Sequence, residues 1–308
     1  MNQVKTLKGI VIPSVTPFDE MGELRLDWLQ SNIQSWNQTA VGGYMVLGSN
    51  GEFRSLNDEE ALAVIETAAE YTAADKLLIA GAGRESLYQT IAFIGKMEKK
   101  QLSVDYISVL TPGYFKGAMT DEALVDYYEQ VADYSPYPVL IYCAPKFANG
   151  VCVSKEAIRR LADHPNIAGI KDTSSDMMES YMEAVGGRDD FEVFSGSLGN
   201  IMSCMRHGGK GGIISGANYF PNTCVKLYEL FCKGDEEAVN TYFVKLKHLT
   251  ACTGGSAGVA GVKAAMNLMG LKGGMPRKPV LPCAKELVDS MNTQIICSRD
   301  WILDRKKQ

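Results

Sequence analysis

The chain has 308 residues, of which 46% are hydrophobic, and it carries a formal net charge of −5 at pH 7. This length suits one or two domains, and an acidic chain with scattered basic residues lacks the positive surface expected for binding nucleic acids or anionic membranes. No apolar stretch approaches the length of a membrane span, and residues 1–8 lack the apolar core of a signal peptide.

Short apolar runs alternate with amphipathic segments as far as Ser215. There are eight of these runs, and several are continuous in Val, Ile, Leu and Ala, which is typical of parallel strands that are covered on both faces. The eight predicted strands span residues 9–16, 42–47, 77–81, 106–111, 138–143, 167–171, 191–195 and 212–215. Between them, Asn57, Thr120 and Ser154 are predicted helix N-caps, and Asn57 has the spacing of a capping box.

Eight successive β-then-α units predict an α/β protein with a closed (β/α)8 TIM barrel. An open doubly wound sheet also alternates, but no Gly-x-Gly-x-x-Gly follows the first strand. After Ser215 only helices are predicted, over residues 221–233, 236–251, 259–268 and 283–291. We therefore expect a barrel with the active site over residues 1–220 and a C-terminal helical region over 221–308. The basic run at 305–307 is expected to be a frayed tail.

The sixth predicted strand ends in Lys171, and the polar residues 172–175 after it are expected to cap the next helix. In TIM barrels the chemistry lies where the strands end. A lysine that is partly removed from water there loses basicity and becomes a nucleophile suited to Schiff-base formation. The alternative is a lysine that extends its ammonium group into solvent.

Residues 48–52 (Gly-Ser-Asn-Gly-Glu, the 48–52 turn) follow the second predicted strand, so they should lie at the same mouth of the barrel. Backbone N–H groups of such a turn, together with Ser49 and Asn50, can converge on a small carboxylate. A plain βα turn has the same composition. Glu52 is expected to be a structural partner of nearby backbone rather than an acid or base.

Two tyrosines also follow strands at this mouth. Tyr142 ends the fifth strand, where its phenol could exchange protons with a nearby amine, although a core tyrosine with one hydrogen bond is the alternative. Tyr114, after the fourth strand, is open to the same two interpretations.

The histidine and cysteine side chains indicate no further catalytic or metal-binding site. No His-x-His or His-x-x-x-His spacing occurs among the three histidines, His164, His207 and His248. The eight cysteines form no Cys-x-x-Cys pair, and apolar residues surround Cys143, Cys204 and Cys232. We therefore predict free, buried thiols in a reducing cytoplasm.

Three of these segments resemble signatures of the dihydrodipicolinate synthase/N-acetylneuraminate lyase family. They are the 48–52 turn, the Tyr-Cys-Ala-Pro of residues 142–145 and the Gly-Ile-Lys-Asp-Thr of residues 169–173, in order and at matching intervals. Within the family, the motifs are most similar to those of 4-hydroxy-2-oxoglutarate aldolases. The resemblance implies a class I aldolase that acts on pyruvate and an aldehyde, with no metal and no organic cofactor.

The resemblance also implies roles for individual residues. Lys171 would form the imine, Tyr142 would act as acid and base, and Tyr114 would relay protons, in many members from the neighbouring subunit. Ser49 would link the two tyrosines. Substrate would be bound by Ser49, Asn50, Thr173, Gly196 and Ile213. A homo-oligomer, either a dimer or a tetramer, is expected on the same basis.

One position departs from the dihydrodipicolinate synthase pattern. Phe147 stands where those enzymes carry an arginine that grips the carboxylate of aspartate semialdehyde, and a phenyl ring cannot make that bidentate contact. Lys146 could reach the same carboxylate, or it is simply an exposed loop lysine. We therefore expect cleavage or formation of a 4-hydroxy-2-oxo acid, such as 4-hydroxy-2-oxoglutarate to pyruvate and glyoxylate.

Three alternative functions are open. The first two are enzymes, a 4-hydroxy-tetrahydrodipicolinate synthase and a sugar-acid lyase acting on N-acetylneuraminate or a 2-keto-3-deoxy acid. The third is a non-catalytic barrel that binds a 2-oxo acid. The complete set of Lys171, Tyr142, Tyr114 and Ser49 argues against this last alternative, because a decayed site should have lost one of them.

Overall fold

A computed structural model describes residues 5–174 and 176–304 of the chain. The predicted tail at 305–307 and Ser175 lie outside the described residues. In the described part, no helix is both long enough and apolar enough to cross a membrane.

Eight parallel strands close into a barrel in the order β1 to β8, which confirms the predicted (β/α)8 TIM-barrel fold. Almost every strand residue is buried, as expected for apolar runs covered on both faces. The strands are β1 (Gly9–Pro13), β2 (Gly43–Val46), β3 (Leu77–Gly81), β4 (Tyr106–Leu110), β5 (Val139–Cys143), β6 (Ile167–Asp172), β7 (Glu192–Ser195) and β8 (Gly211–Ile213).

Helices follow the strands and continue after β8. They are α1 (Leu26–Trp36), α2 (Asp58–Tyr71), α3 (Leu87–Lys99), α4 (Asp121–Tyr134), α5 (Lys155–Leu161), α6 (Met178–Val185), α7 (Ile201–Arg206), α8 (Pro221–Cys232), α9 (Glu236–Cys252), α10 (Gly258–Leu268) and α11 (Lys285–Cys297). The predicted N-caps are confirmed, because Asn57, Thr120 and Ser154 each accept a backbone N–H at the start of α2, α4 and α5. Asn57 forms the full capping box with Glu60.

The described residues of the polar cluster after β6, 172–174, do not provide the N-cap of the next helix, so the prediction is wrong for them. Met177 is the N-cap of α6, and it makes no side-chain capping bond. Instead, the Asp172 carboxylate accepts the Ser174 N–H and hydroxyl, at 2.9 and 2.8 Å. The Ser174 hydroxyl in turn accepts the N–H of Met177 at 3.2 Å. The polar side chains therefore brace the loop that follows Lys171.

Two compact units are distinguished by their internal contacts. The first contains residues 5–8 and Leu77–Ile213, and therefore β3–β8 and α3–α7. The second contains Gly9–Lys76 and residues 214–304, and therefore β1, β2, α1, α2 and α8–α11. The described residues after β8 form helices without further strands, as predicted, whereas the boundary at residue 220 stays a prediction.

All eight cysteines are free. Cys143 and Cys204 are buried as expected. The prediction that Cys232 is buried is wrong, because it ends α8 on an exposed last turn that leads into Lys233 and Gly234.

Candidate active site

Lys171 lies at the end of β6 in the first unit, one residue before the strand stops. It is only 3% exposed, so its side chain does not extend into solvent. In the strand register it stands between Tyr142 of β5 and Phe194 of β7. The Nζ atom lies 4.1 Å from the centroid of the Tyr142 ring. The structure therefore brings together the two residues on which the predicted amine chemistry depends.

Burial changes the acid–base behaviour of this amine. Removal from water disfavours the ammonium form and lowers the pKa of Lys171 from 10.5 to about 7. At neutral pH about half of the molecules then carry an unprotonated, nucleophilic amine. An ordinary surface lysine is almost fully protonated under the same conditions.

Gly196 lies close to both Thr173 and Lys171. A Cβ atom at Gly196 would lie 2.1 Å from the Thr173 methyl carbon and 3.2 Å from Cε of Lys171. The Gly196 N–H donates to the Asp172 carbonyl at 2.6 Å, and the Thr173 hydroxyl donates to the Cys143 carbonyl at 3.1 Å. Gly196 therefore leaves the space that these two side chains occupy.

Ile213 and Tyr114 are the other predicted site residues of the first unit. Ile213 ends β8 and is 1% exposed. Tyr114 follows β4 and is 77% exposed, with its ring edge-on to that of Phe115 at 4.9 Å. Its backbone N–H donates to the Glu85 carboxylate at 3.1 Å.

The second unit contains the 48–52 turn, which follows β2. The turn is tight, since a Cβ at Gly51 would lie 2.9 Å from the backbone nitrogen of Leu47. Ser49 and Asn50 are half-buried. The Asn50 amide donates to the Ser215 hydroxyl at 2.8 Å. The sequence analysis did not predict this contact of Asn50 with Ser215, although the place of Ser215 at the end of the last predicted strand was an available signal.

The comparison with known proteins decides the family. The chain matches the dihydrodipicolinate synthetase family over residues 6–296. The chain belongs to this family. A probable mitochondrial 4-hydroxy-2-oxoglutarate aldolase of Emericella nidulans is 31% identical, covering 90% of this chain and 91% of the relative. A 4-hydroxy-tetrahydrodipicolinate synthase of Xanthomonas campestris is also 31% identical, covering 90% of each chain.

Solved structures of the family share the fold. The YagE prophage protein of E. coli K12, solved in complex with pyruvate, superposes with a TM-score of 0.87 at 25% identity. The superposition covers 96% of this chain and 99% of YagE. Family membership makes the protein a carbon–carbon lyase of the class I aldolase type, in which a lysine forms a Schiff base with the substrate.

Two further features of this family member bear on substrate and metal. Phe147 lies on the segment after β5 and is 51% exposed. An apolar ring therefore stands at the position that departs from the dihydrodipicolinate synthase pattern. Within residues 5–174 and 176–304, no group of three or more His, Cys, Asp or Glu side chains is arranged to hold a metal ion.

Proposed function

We propose that this lyase cleaves or forms a 4-hydroxy-2-oxo acid, such as 4-hydroxy-2-oxoglutarate, through an imine between Lys171 and the 2-oxo acid. The observation that carries the proposal is the buried Lys171 amine over the Tyr142 ring, 4.1 Å from its centroid. A desolvated amine beside a phenol has the nucleophile and the proton donor that imine formation requires.

The reaction then proceeds in balanced steps. The unprotonated Lys171 amine adds to the C2 ketone. Tyr142 donates the proton with which the resulting carbinolamine loses water, which gives the iminium ion and leaves Tyr142 as a tyrosinate. Tyr142 takes the proton of the C4 hydroxyl as the C3–C4 bond breaks, and the iminium ion accepts the electron pair. The aldehyde leaves, the resulting enamine is protonated at C3, and hydrolysis releases pyruvate and the lysine.

The other predicted residues bind and orient the substrate in this proposal. Ser49 and Asn50 bind the carboxylate, and aligned polar donors of this kind orient the imine for cleavage. Thr173 contacts the substrate hydroxyl, and backbone at Gly196 and Ile213 borders the pocket. Ser49 connects Tyr142 to Tyr114, which relays protons from a neighbouring copy in a dimer or tetramer. The 77% exposure of Tyr114 in the single chain supports such a crossing.

The choice of substrate depends on Phe147 rather than on overall similarity. The Emericella aldolase and the Xanthomonas synthase are equally similar to this chain, at 31% identity each. Phe147 supplies no guanidinium for a second carboxylate, which disfavours aspartate semialdehyde as the acceptor. Lyases of N-acetylneuraminate or 2-keto-3-deoxy acids are the second candidates.

Eight free cysteines support a reducing compartment such as the cytoplasm.

The proposal is tested with the wild-type protein in two assays. Incubation with pyruvate and cyanoborohydride should add one reduced pyruvate, detected by intact mass and mapped to Lys171. Absence of the adduct would favour the non-catalytic binding protein. Rates with pyruvate plus glyoxylate, pyruvate plus aspartate semialdehyde, and N-acetylneuraminate are then compared. The highest kcat/KM is expected with glyoxylate, and a preference for either other substrate would overturn the proposed one.

The pH dependence of trapping follows from the pKa of Lys171. Because burial lowers this pKa to about 7, the trapping rate at limiting pyruvate should rise from pH 6 to pH 8 and then level off. The unprotonated fraction rises from about one tenth to about nine tenths over this range. The rate is measured by intact mass at fixed cyanoborohydride concentration, with a surface-lysine peptide as control. A rate that keeps rising beyond pH 9 would contradict the low pKa.

A further inference from the structure

Glu52, the last residue of the 48–52 turn, is anchored from the C-terminal part of the chain. Its side chain is 4% exposed, and Oε1 lies 2.5 Å from Nζ of Lys263, which is 1% exposed. Its Oε2 accepts the backbone N–H of Arg277 at 2.8 Å. The sequence analysis predicted nearby backbone as the partner of Glu52, whereas its partners in the structure, Lys263 and Arg277, are distant in the chain. Charges buried this deeply are tolerated only when they are paired and hydrogen-bonded.

Lys263 makes several contacts besides its ion pair with Glu52. It projects from α10, donates to the Met275 carbonyl at 2.7 Å, and lies 4.5 Å from the centroid of the Phe18 ring. The segment after α10 folds back closely over it, because a Cβ at Gly273 would lie 2.3 Å from the Lys263 carbonyl oxygen. The ammonium group therefore has a defined position relative to Glu52.

Arg277 fixes the same segment to the start of α2. Its guanidinium donates to both carboxylate oxygens of Glu60, at 2.6 and 2.9 Å. It also donates to the carbonyls of Gly22 and Ser55, at 2.9–3.0 and 2.7 Å. The bidentate pair defines the orientation of the side chain. As a result, the backbone of Arg277, whose N–H donates to Glu52, has a defined position.

The turn that these contacts anchor is strained. Leu47, just before the turn, and Glu52, its last residue, have positive φ angles of 57° and 50°, a conformation that side-chain-bearing residues rarely adopt. Such a conformation is unfavourable and persists only where the surroundings of the residue impose it. Thr16 contributes by donating to the Gly51 carbonyl at 2.7 Å. Ser49 and Asn50 lie between the two strained positions.

We infer that Lys263 and Arg277 are positioning residues, which hold the 48–52 turn in the conformation that binds the substrate carboxylate. This inference rests on the proposed role of Ser49 and Asn50. It gives α10 and the segment after it a function in substrate binding beyond their part in the fold. Loosening the Glu52 anchor lets the turn relax, so the carboxylate is bound less tightly while Lys171 is unchanged.

The test uses the double variant Glu52→Gln/Lys263→Met, which removes both charges and preserves side-chain volume. Replacing Lys263 alone would leave a buried carboxylate without its counter-ion and risk unfolding. In cyanoborohydride trapping, the half-saturating pyruvate concentration should rise about tenfold or more. The trapping rate at saturating pyruvate should stay within about twofold, since the imine-forming amine is retained.

Asn37→Ala is the matched control, because Asn37 lies in the same unit and makes side-chain hydrogen bonds with Tyr44 and Tyr71. It should lower the melting temperature without changing the half-saturating pyruvate concentration. If the double variant does not fold, Arg277→Met serves instead, since it leaves the Glu52–Lys263 pair in place.

The possible failures are distinguishable. A wild-type protein that forms no adduct contradicts the proposed function itself. A wild-type protein that forms the adduct, with variants whose half-saturating concentration is unchanged, overturns the positioning role alone. An equal rise in the Asn37→Ala control would also overturn it, because loss of stability would then explain the effect.

Discussion

Lys171→Met is expected to abolish the pyruvate adduct and to lower kcat for cleavage by ~10⁴-fold or more. Methionine keeps an unbranched apolar chain of similar length in the buried site but has no nucleophilic nitrogen. The loss is measured by intact mass after cyanoborohydride treatment and by the rate of pyruvate release. A stable adduct on this variant would show that another amine forms the imine and would refute the assignment of Lys171.

The same substitution should make the protein more stable at neutral pH. The folded state lowers the pKa of Lys171 from 10.5 to about 7, so between these values the unfolded chain binds more protons than the folded one. Wild-type stability therefore rises with pH across this range, and at pH 7 the buried amine costs about 4 kcal/mol. Lys171→Met avoids this cost.

Urea unfolding at pH 7 and pH 10 measures the difference. The gain in unfolding free energy should be a few kcal/mol at pH 7 and should shrink towards pH 10, where the amine is unprotonated in the folded protein and partly so in the unfolded chain. A variant no more stable than wild type at pH 7 would contradict the cost of burying Lys171. Activity and stability would then not be opposed at this position.

The barrel could be predicted from the sequence because its signals are local. Each strand is an apolar run of fewer than ten residues, and each confirmed helix start has a capping residue. Strand ends were less accurate for a tertiary reason. The first predicted strand extended to Thr16, but β1 ends at Pro13, because the Val15 N–H bonds to the Asn218 side chain instead of continuing the ladder.

The candidate site could be predicted only in part. The position of Lys171 at a strand end was predictable, but the sequence left open whether its amine is buried or extends into solvent, and the structure shows it 3% exposed. The partners of Glu52 were not predictable, because Arg277 is 225 positions away and no local pattern connects them. The polar residues after Lys171 suggested a helix cap, whereas Asp172 and Ser174 satisfy one another within the loop. Hydrogen bonds that compete with capping cannot be ranked from composition alone.

Gly196→Ala is expected to lower kcat/KM about 100-fold, although it adds a single methyl group. The new Cβ would lie 2.1 Å from the Thr173 methyl carbon, 3.0 Å from the Asp172 carbonyl oxygen and 3.2 Å from Cε of Lys171. Thr173 cannot simply rotate away, because its hydroxyl is bonded to the Cys143 carbonyl. The strand ends and the lysine must therefore shift, and displacements of about 1 Å at a reacting centre cost roughly this factor.

Gly199→Ala provides the matched control on the same loop. Among the residues that the structure describes, its Cβ would meet only the Ser197 hydroxyl oxygen, at an ordinary 3.6 Å. Activity should therefore stay within about twofold and stability within about 0.5 kcal/mol of wild type. Gly196→Ala should instead lose about 1–3 kcal/mol of unfolding free energy through overpacking. If both variants retained wild-type kcat/KM, close packing of Gly196 against Lys171 would have no part in placing the amine. A loss confined to Gly196→Ala would show that the strand-end glycine leaves the space in which the amine is held.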